Sequence, residues 1–176
     1  MSEDQGGALW SPPWLAIHMS ETRKITKPFN PEYYQKNDRP GKKVVIKYLE
    51  ENGYRAIENG DDYGIDVATV KTFYEVERRN IKTSYWPFST VHIPYRKEKF
   101  FKNQKVKVIY AINVHHNVNG LEYDTILLCD ADEILQHPLV EQPTPTVKGE
   151  LFYDVPLHKW EQINLNPPPD TYDWDF

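Results

Sequence analysis

The chain has 176 residues, a formal net charge of −5, a hydrophobic content of 39 % and a single cysteine. That length corresponds to one domain plus tails, with enough chain to bury one adequate core. No apolar run is long enough to span a bilayer, no signal peptide is expected, and the lone Cys129 excludes an internal disulfide and a cysteine-rich metal site.

In chain order, residues 1–38 carry prolines and glycines without sustained periodicity and are expected to form an N-terminal extension. Residues 42–52 (KKVVIKYLEEN) are apolar at 44, 45, 46, 48 and 49, the pattern of a helix with one buried face. Gly53 follows where a C-cap glycine belongs. Residues 54–57 read as a short strand and 59–62 (NGDD) as a turn. The runs 65–70 and 72–77 then read as the two strands of a hairpin. Strand side chains alternate, so Asp66, Ala68 and Val70 share one face, and Phe73, Glu75 and Glu77 share one face of the partner. Where those faces coincide, three carboxylates meet. A hard divalent cation such as Mg²⁺, which prefers oxygen ligands, relieves that crowding. A metal on few carboxylates with open positions is suited to phosphodiester cleavage.

The segment 78–107 is basic, with Arg78, Arg79, Lys82, Arg96, Lys97, Lys99, Lys102, Lys105 and Lys107 opposed only by Glu98. Tyr85, Trp86, Phe88, Tyr95, Phe100 and Phe101 are interleaved. Cations that bind phosphates and aromatics that stack on unpaired bases together read as a nucleic-acid track. Part of it, about 95–102, has helical character. The clearest strand, 106–114, pairs with 123–129 through the Asn119-Gly120 turn. His115-His116 lacks further zinc ligands and reads as hairpin-tip histidines, and Cys129 reads as a small core residue. Asp130 is an N-cap for a short helix over 130–136, whose first-turn acids suit the helix dipole better than a calcium loop. Residues 141–148 form a Pro/Thr-rich connector, and 151–156 an edge strand ended by Pro156. From 121 to the end, twelve acids face only Lys148 and Lys159, and 166–176 form an acidic, proline-rich tail.

Helix, three strands, helix, strand, with Asp66 and Glu75 on successive strands, resembles the core of the PD-(D/E)XK nuclease superfamily over roughly residues 40 to 130. The resemblance implies an α/β domain over 39–165, with a central mixed sheet flanked by helices in the order αβββαβ. It implies hydrolysis of DNA phosphodiester bonds with Mg²⁺, or Mn²⁺ in its place. Asp66 and Glu75 match the two metal-binding acids of the family, and the Val76 carbonyl its further ligand. Glu50 or Glu51 matches the helix acid that many members add. Glu77 departs from the pattern, standing where most members carry lysine; it would bind a second ion or orient the attacking water. Some members supply the lysine from the following helix, which here means Lys97 or Lys99. Lys97 or Arg96 would stabilise transition-state charge, and Arg78, Arg79, Arg96, Lys97, Lys99 and Lys102 would contact DNA. Many members cut as homodimers. Non-catalytic members exist, so a nuclease-like fold that only binds nucleic acid or protein is the alternative. The acidic tail fits a replication or recombination partner, no membrane is implied, and the expected setting is the cytoplasm of a bacterial or phage-infected cell.

Overall fold

A computed structural model describes Glu32 and residues 38–59, 64–102, 104–142 and 149–165. The expected extension before Asp38 and the tail from 166 lie outside these residues, Glu32 apart. Helix α1 (Arg39–Glu51) buries Gly41, Lys42, Val45 and Leu49 along one side. It starts earlier than its apolar periodicity implies, because Pro40 sits in the first turn, where its missing N–H goes unused. It ends as Gly53 foretells: Gly53 takes φ +82°, its N–H bonds to Glu50 O, and the Tyr54 N–H reaches back to Leu49 O.

Strands β1 (Ile57–Glu58) and β2 (Val67–Ala68) are brief, and β3 (Thr72–Ile81) is long. Strand β4 (Thr90–Pro94) leads through a 3₁₀ turn (Tyr95–Lys97) into α2 (Glu98–Phe101). Strands β5 (Lys107–Val118) and β6 (Leu121–Asp130) form a hairpin. Asn119 and Gly120 at its tip take φ 53° and 87°, the positive pair that suits a two-residue turn between twisted strands. Helix α3 (Ala131–Ile134) follows, capped by Asp130, whose carboxylate accepts the Asp132 N–H at 3.0 Å. Strands β7 (Leu139–Gln142), β8 (Glu150–Pro156) and β9 (Glu161–Asn164) complete the described chain.

Six strands form a mixed sheet in the order β1-β2-β3-β5-β6-β9, and three form a second sheet in the order β4-β8-β7. The contact between β3 and β5 is parallel. Among the described residues, one face of the large sheet carries the long helix. There Val45 and Leu49 of α1 pack on Val67, Tyr74, Val76, Ala111 and Ile126. The second sheet covers the other face, where Val91, Ile93, Tyr153 and Val155 meet Tyr110, Ile112, Val114 and Leu127. On that side the expected helices are only the short α2 and α3, which contribute Phe101, Ala131 and Ile134, and the second sheet beside them was not expected. Strand β8 is likewise central in its sheet rather than an edge, because Pro156 occupies its last position, opposite Thr90. His115 and His116 lie within β5, before the turn, so they are not hairpin-tip residues. Among the described residues no helix is long and apolar enough to cross a membrane.

Cys129 is buried in the core between the sheets, and burial pushes its thiol up to about 12. At pH 8 only about one molecule in ten thousand would then carry the thiolate. The native protein is expected to resist a thiol-specific chromogenic reagent and to react fully in 6 M guanidinium, as a timed absorbance trace would show.

Candidate active site

The β2–β3 register pairs Ala68 with Phe73 and Val67 with Tyr74. Asp66, one residue before β2, thus comes opposite Glu75, and the two expected faces coincide. Asp66 does more than share that face. Its Oδ2 accepts the Val76 N–H at 2.8 Å, so a side chain takes over from the strand pairing that β2 gives up. Its Oδ1 meets the Lys42 ammonium at 2.7 Å. Lys42 reaches it because α1 lies almost directly on β3: a Cβ on Gly41 would stand 3.1 Å from the Arg78 Cβ.

Glu75 and Glu77 lie two residues apart on β3, facing the second sheet. Glu75 is 2 % exposed; its Oε1 is held by the Lys97 ammonium and its Oε2 has no hydrogen-bond partner among the described residues. Burial pushes its carboxyl up to about 7; Lys97 opposes the rise and Asp66 adds to it. Burial works against the Lys97 charge too, but Glu75, Asp66 and Glu77 outweigh it and raise the ammonium above its ordinary value. Glu77 moves the other way. Burial alone would raise it, but the Arg79 charge and hydrogen bond, helped by the Tyr110 hydroxyl, bring it down to about 2. Arg79 Nε donates to Glu77 Oε1 at 2.9 Å, and Tyr110 donates to Glu77 Oε2. A further Arg79 N–H reaches the His92 carbonyl on β4 at 2.6 Å, tying the two sheets together.

One acid of this cluster escapes the sequence pattern. Asp38, at the N-cap of α1, makes no capping hydrogen bond. Burial raises its carboxyl, Lys97 and Lys42 oppose the rise, and Asp66 and Glu77 add to it, so Asp38 stands within electrostatic reach of the site. The Asp38-Arg39-Pro40 run is a helix-start signal, but the apolar periodicity that places the helix begins only at Val44. Among the described residues, four carboxylates (Asp38, Asp66, Glu75, Glu77) thus stand with three cations (Lys42, Arg79, Lys97), and the crowding falls on Glu75, whose carboxyl is pushed up to about 7.

Glu51 is not brought to this cluster. It lies nine residues beyond Lys42, about 13 Å along the helix axis, exposed and paired with Lys47 at 3.7 Å. Glu50 is exposed at the same end. Of the two candidate lysines, Lys97 reaches Glu75, whereas the Lys99 ammonium lies 4.7 Å from the Phe100 ring centre. The expected basic track is largely paired within the fold: Arg79 with Glu77, Arg96 with Glu150, Lys97 with Glu75, Lys102 with Glu98 and Lys107 with Asp130. Arg78 bonds Asn80 at 3.3 Å in an exposed position.

An open cleft of about 940 Å³ adjoins the Glu77 end of the row, lined by Glu77, Arg78, Arg79, Trp86, Phe88 and His92 among others. Among the described residues, no three Asp, Glu, His or Cys side chains converge on one point as metal ligands. Comparison of the chain with protein-family models and with curated proteins finds no match.

Proposed function

We propose that this protein is a metal-dependent deoxyribonuclease with the PD-(D/E)XK arrangement, hydrolysing phosphodiester bonds at the Asp66–Glu75 pair. The observation that carries the reading is the buried Glu75 Oε2, an acceptor beside Asp66 without a hydrogen-bond partner among the described residues. Such an oxygen is costly to desolvate unless a ligand meets it. The topology is in keeping with the reading: α1, the antiparallel run β1-β2-β3, α2, then β5 parallel to β3, with β4 as an addition.

The donor set fits a hard cation. Glu75 through its Oε2 and Asp66 through the Oδ1 that Lys42 now meets would hold Mg²⁺, with the Val76 carbonyl, which points to the same edge of β3 as the N–H bound by Asp66. The bound ion would supply Lewis-acid polarisation of the phosphate and a more acidic water. The chain's own residues do the rest. Lys97, kept protonated, stabilises charge developing on the phosphorane oxygens. Asp38 shares the negative field that draws the cation in. With both oxygens engaged, Glu77 holds Arg79 in place and is too weak a base to take a proton.

The test is incubation of the full chain with end-labelled single-stranded, duplex and branched DNA, in Mg²⁺, Mn²⁺ or EDTA. Cleavage with either metal and none in EDTA is the expected result. A second reading is favoured by a specific observation: Lys42, Lys97 and Arg79 already pair with Asp66, Glu75 and Glu77. A nuclease-like fold that binds nucleic acid without cutting would look like this. DNA binding with no cleavage under any metal would establish that reading instead.

A further inference from the structure

Residues 82–89, which join β3 to β4, carry three aromatics that the site chemistry does not use. Tyr85 is 67 % exposed and Phe88 is 61 % exposed. The Trp86 ring meets Phe88 edge to face at 5.7 Å and lies under the Arg79 guanidinium at 5.5 Å. Exposed aromatics on a loose loop would mean little, but this loop is pinned from below. The Thr83 carbonyl accepts from Nδ1 of the buried His116 at 2.7 Å; the other His116 ring nitrogen then accepts from the Thr125 hydroxyl at 2.9 Å. The Tyr123 hydroxyl, whose ring stacks on His116, donates to the Ser84 carbonyl at 3.0 Å. Trp86 Nε1 donates to the Thr90 carbonyl at 3.1 Å. Buried polar groups are thus used to hold two apolar rings out in water.

We infer that this connector is a stacking platform for an unpaired base of the DNA strand, next to the phosphate that the cation on Glu75 and Asp66 would bind. The inference rests on the nuclease reading for its ligand and deepens it to a substrate class: single strands, frayed ends or flaps. The cleft runs without a break from Glu77 and Arg79 to Trp86 and Phe88, and its volume of about 940 Å³ holds a nucleotide or two. Arg78 and Arg79 line it with the charge a phosphate backbone needs, and the exposed Lys82 follows Ile81 of the lining in the chain. A continuous duplex keeps its bases stacked inside and has no ring face to offer Phe88, whereas an unpaired base does.

The test is made in EDTA, so it does not depend on cleavage. The full chain is titrated into fluorescein-labelled oligothymidylate and into a closed dumbbell duplex, followed by anisotropy. A 2-aminopurine oligonucleotide reports stacking by quenching. Phe88→Ala is expected to weaken single-strand binding about 5- to 150-fold and to abolish quenching. Phe88→Tyr should retain both, and dumbbell binding should be unchanged. Single-strand affinity kept in Phe88→Ala, equal losses on both DNAs, or no quenching by the wild type would each overturn the platform. Failure of Mg²⁺-dependent cleavage would instead sink the catalytic reading and leave this result standing.

Discussion

Asp66→Asn is expected to lower Mg²⁺-dependent cleavage on the order of 10³-fold while the protein stays folded and binds DNA as before. Asparagine keeps an oxygen for the Val76 N–H, which Asp66 holds at 2.8 Å, and removes the charge that a cation needs. Asp66→Ala removes both, and either change takes away the carboxylate charge facing a Lys42 side chain that is 1 % exposed. Breaking a buried pair from one side is costly, so both variants should lose stability in urea titration, alanine about 3 kcal/mol and asparagine, which keeps an oxygen there, less. Adding Lys42→Met to the alanine variant should restore part of that loss and none of the cleavage. Cleavage that survives in Asp66→Asn would remove Asp66 from the reaction.

Arg79→Ala should be the most damaging change outside the Asp66–Glu75 pair. It deletes the bonds to Glu77 and the 2.6 Å bond to the His92 carbonyl, which joins the large sheet to β4. About 3 kcal/mol is the expected loss, a fall in Tm of roughly 6–12 °C for a chain of this size. The pH dependence identifies the cause. The Glu77 carboxyl sits at about 2 in the folded protein, below its ordinary value of 4.5. Its contribution is fully present above pH 4.5 and is lost as pH falls toward 2. The gap between wild type and Arg79→Ala should therefore be widest above pH 4.5 and narrow below it in thermal melts. Arg79→Lys should not rescue it, because one ammonium cannot span Glu77 and the His92 carbonyl together. A gap independent of pH would show that Glu77 takes no part.

Local signals carried much of this structure. The buried face of α1, its glycine stop, the Asn119-Gly120 hairpin and the shared face of Asp66 and Glu75 all follow from periodicity and turn chemistry. What stayed hidden depends on contacts distant in sequence. Nothing in the local pattern of 90–94 shows that it pairs with 152–156, and so the second sheet was not legible. The basic segment looked unopposed because its counter-charges, such as Glu150 for Arg96, come from elsewhere in the chain. Asp38 was missed because Pro40, rather than an apolar residue, opens the helix.

The parallel pairing of β3 with β5 has a consequence for how the chain folds. Each β3 residue meets a partner 35 positions later, from Thr72 with Lys107 to Ile81 with His116. The β5–β6 hairpin closes through two residues, on a timescale of about 1–10 µs, whereas the β3 contact must first close a long loop. The hairpin is therefore expected to form first, with the edge of β5 bare and the alternating Val108, Tyr110, Ile112 and Val114 uncovered. An open apolar edge invites pairing with another chain. Crowded, fast synthesis should divert this protein into aggregates at the step before β3 docks. The same step brings Glu75 and Glu77 to Tyr110, so a chain caught there has no assembled site.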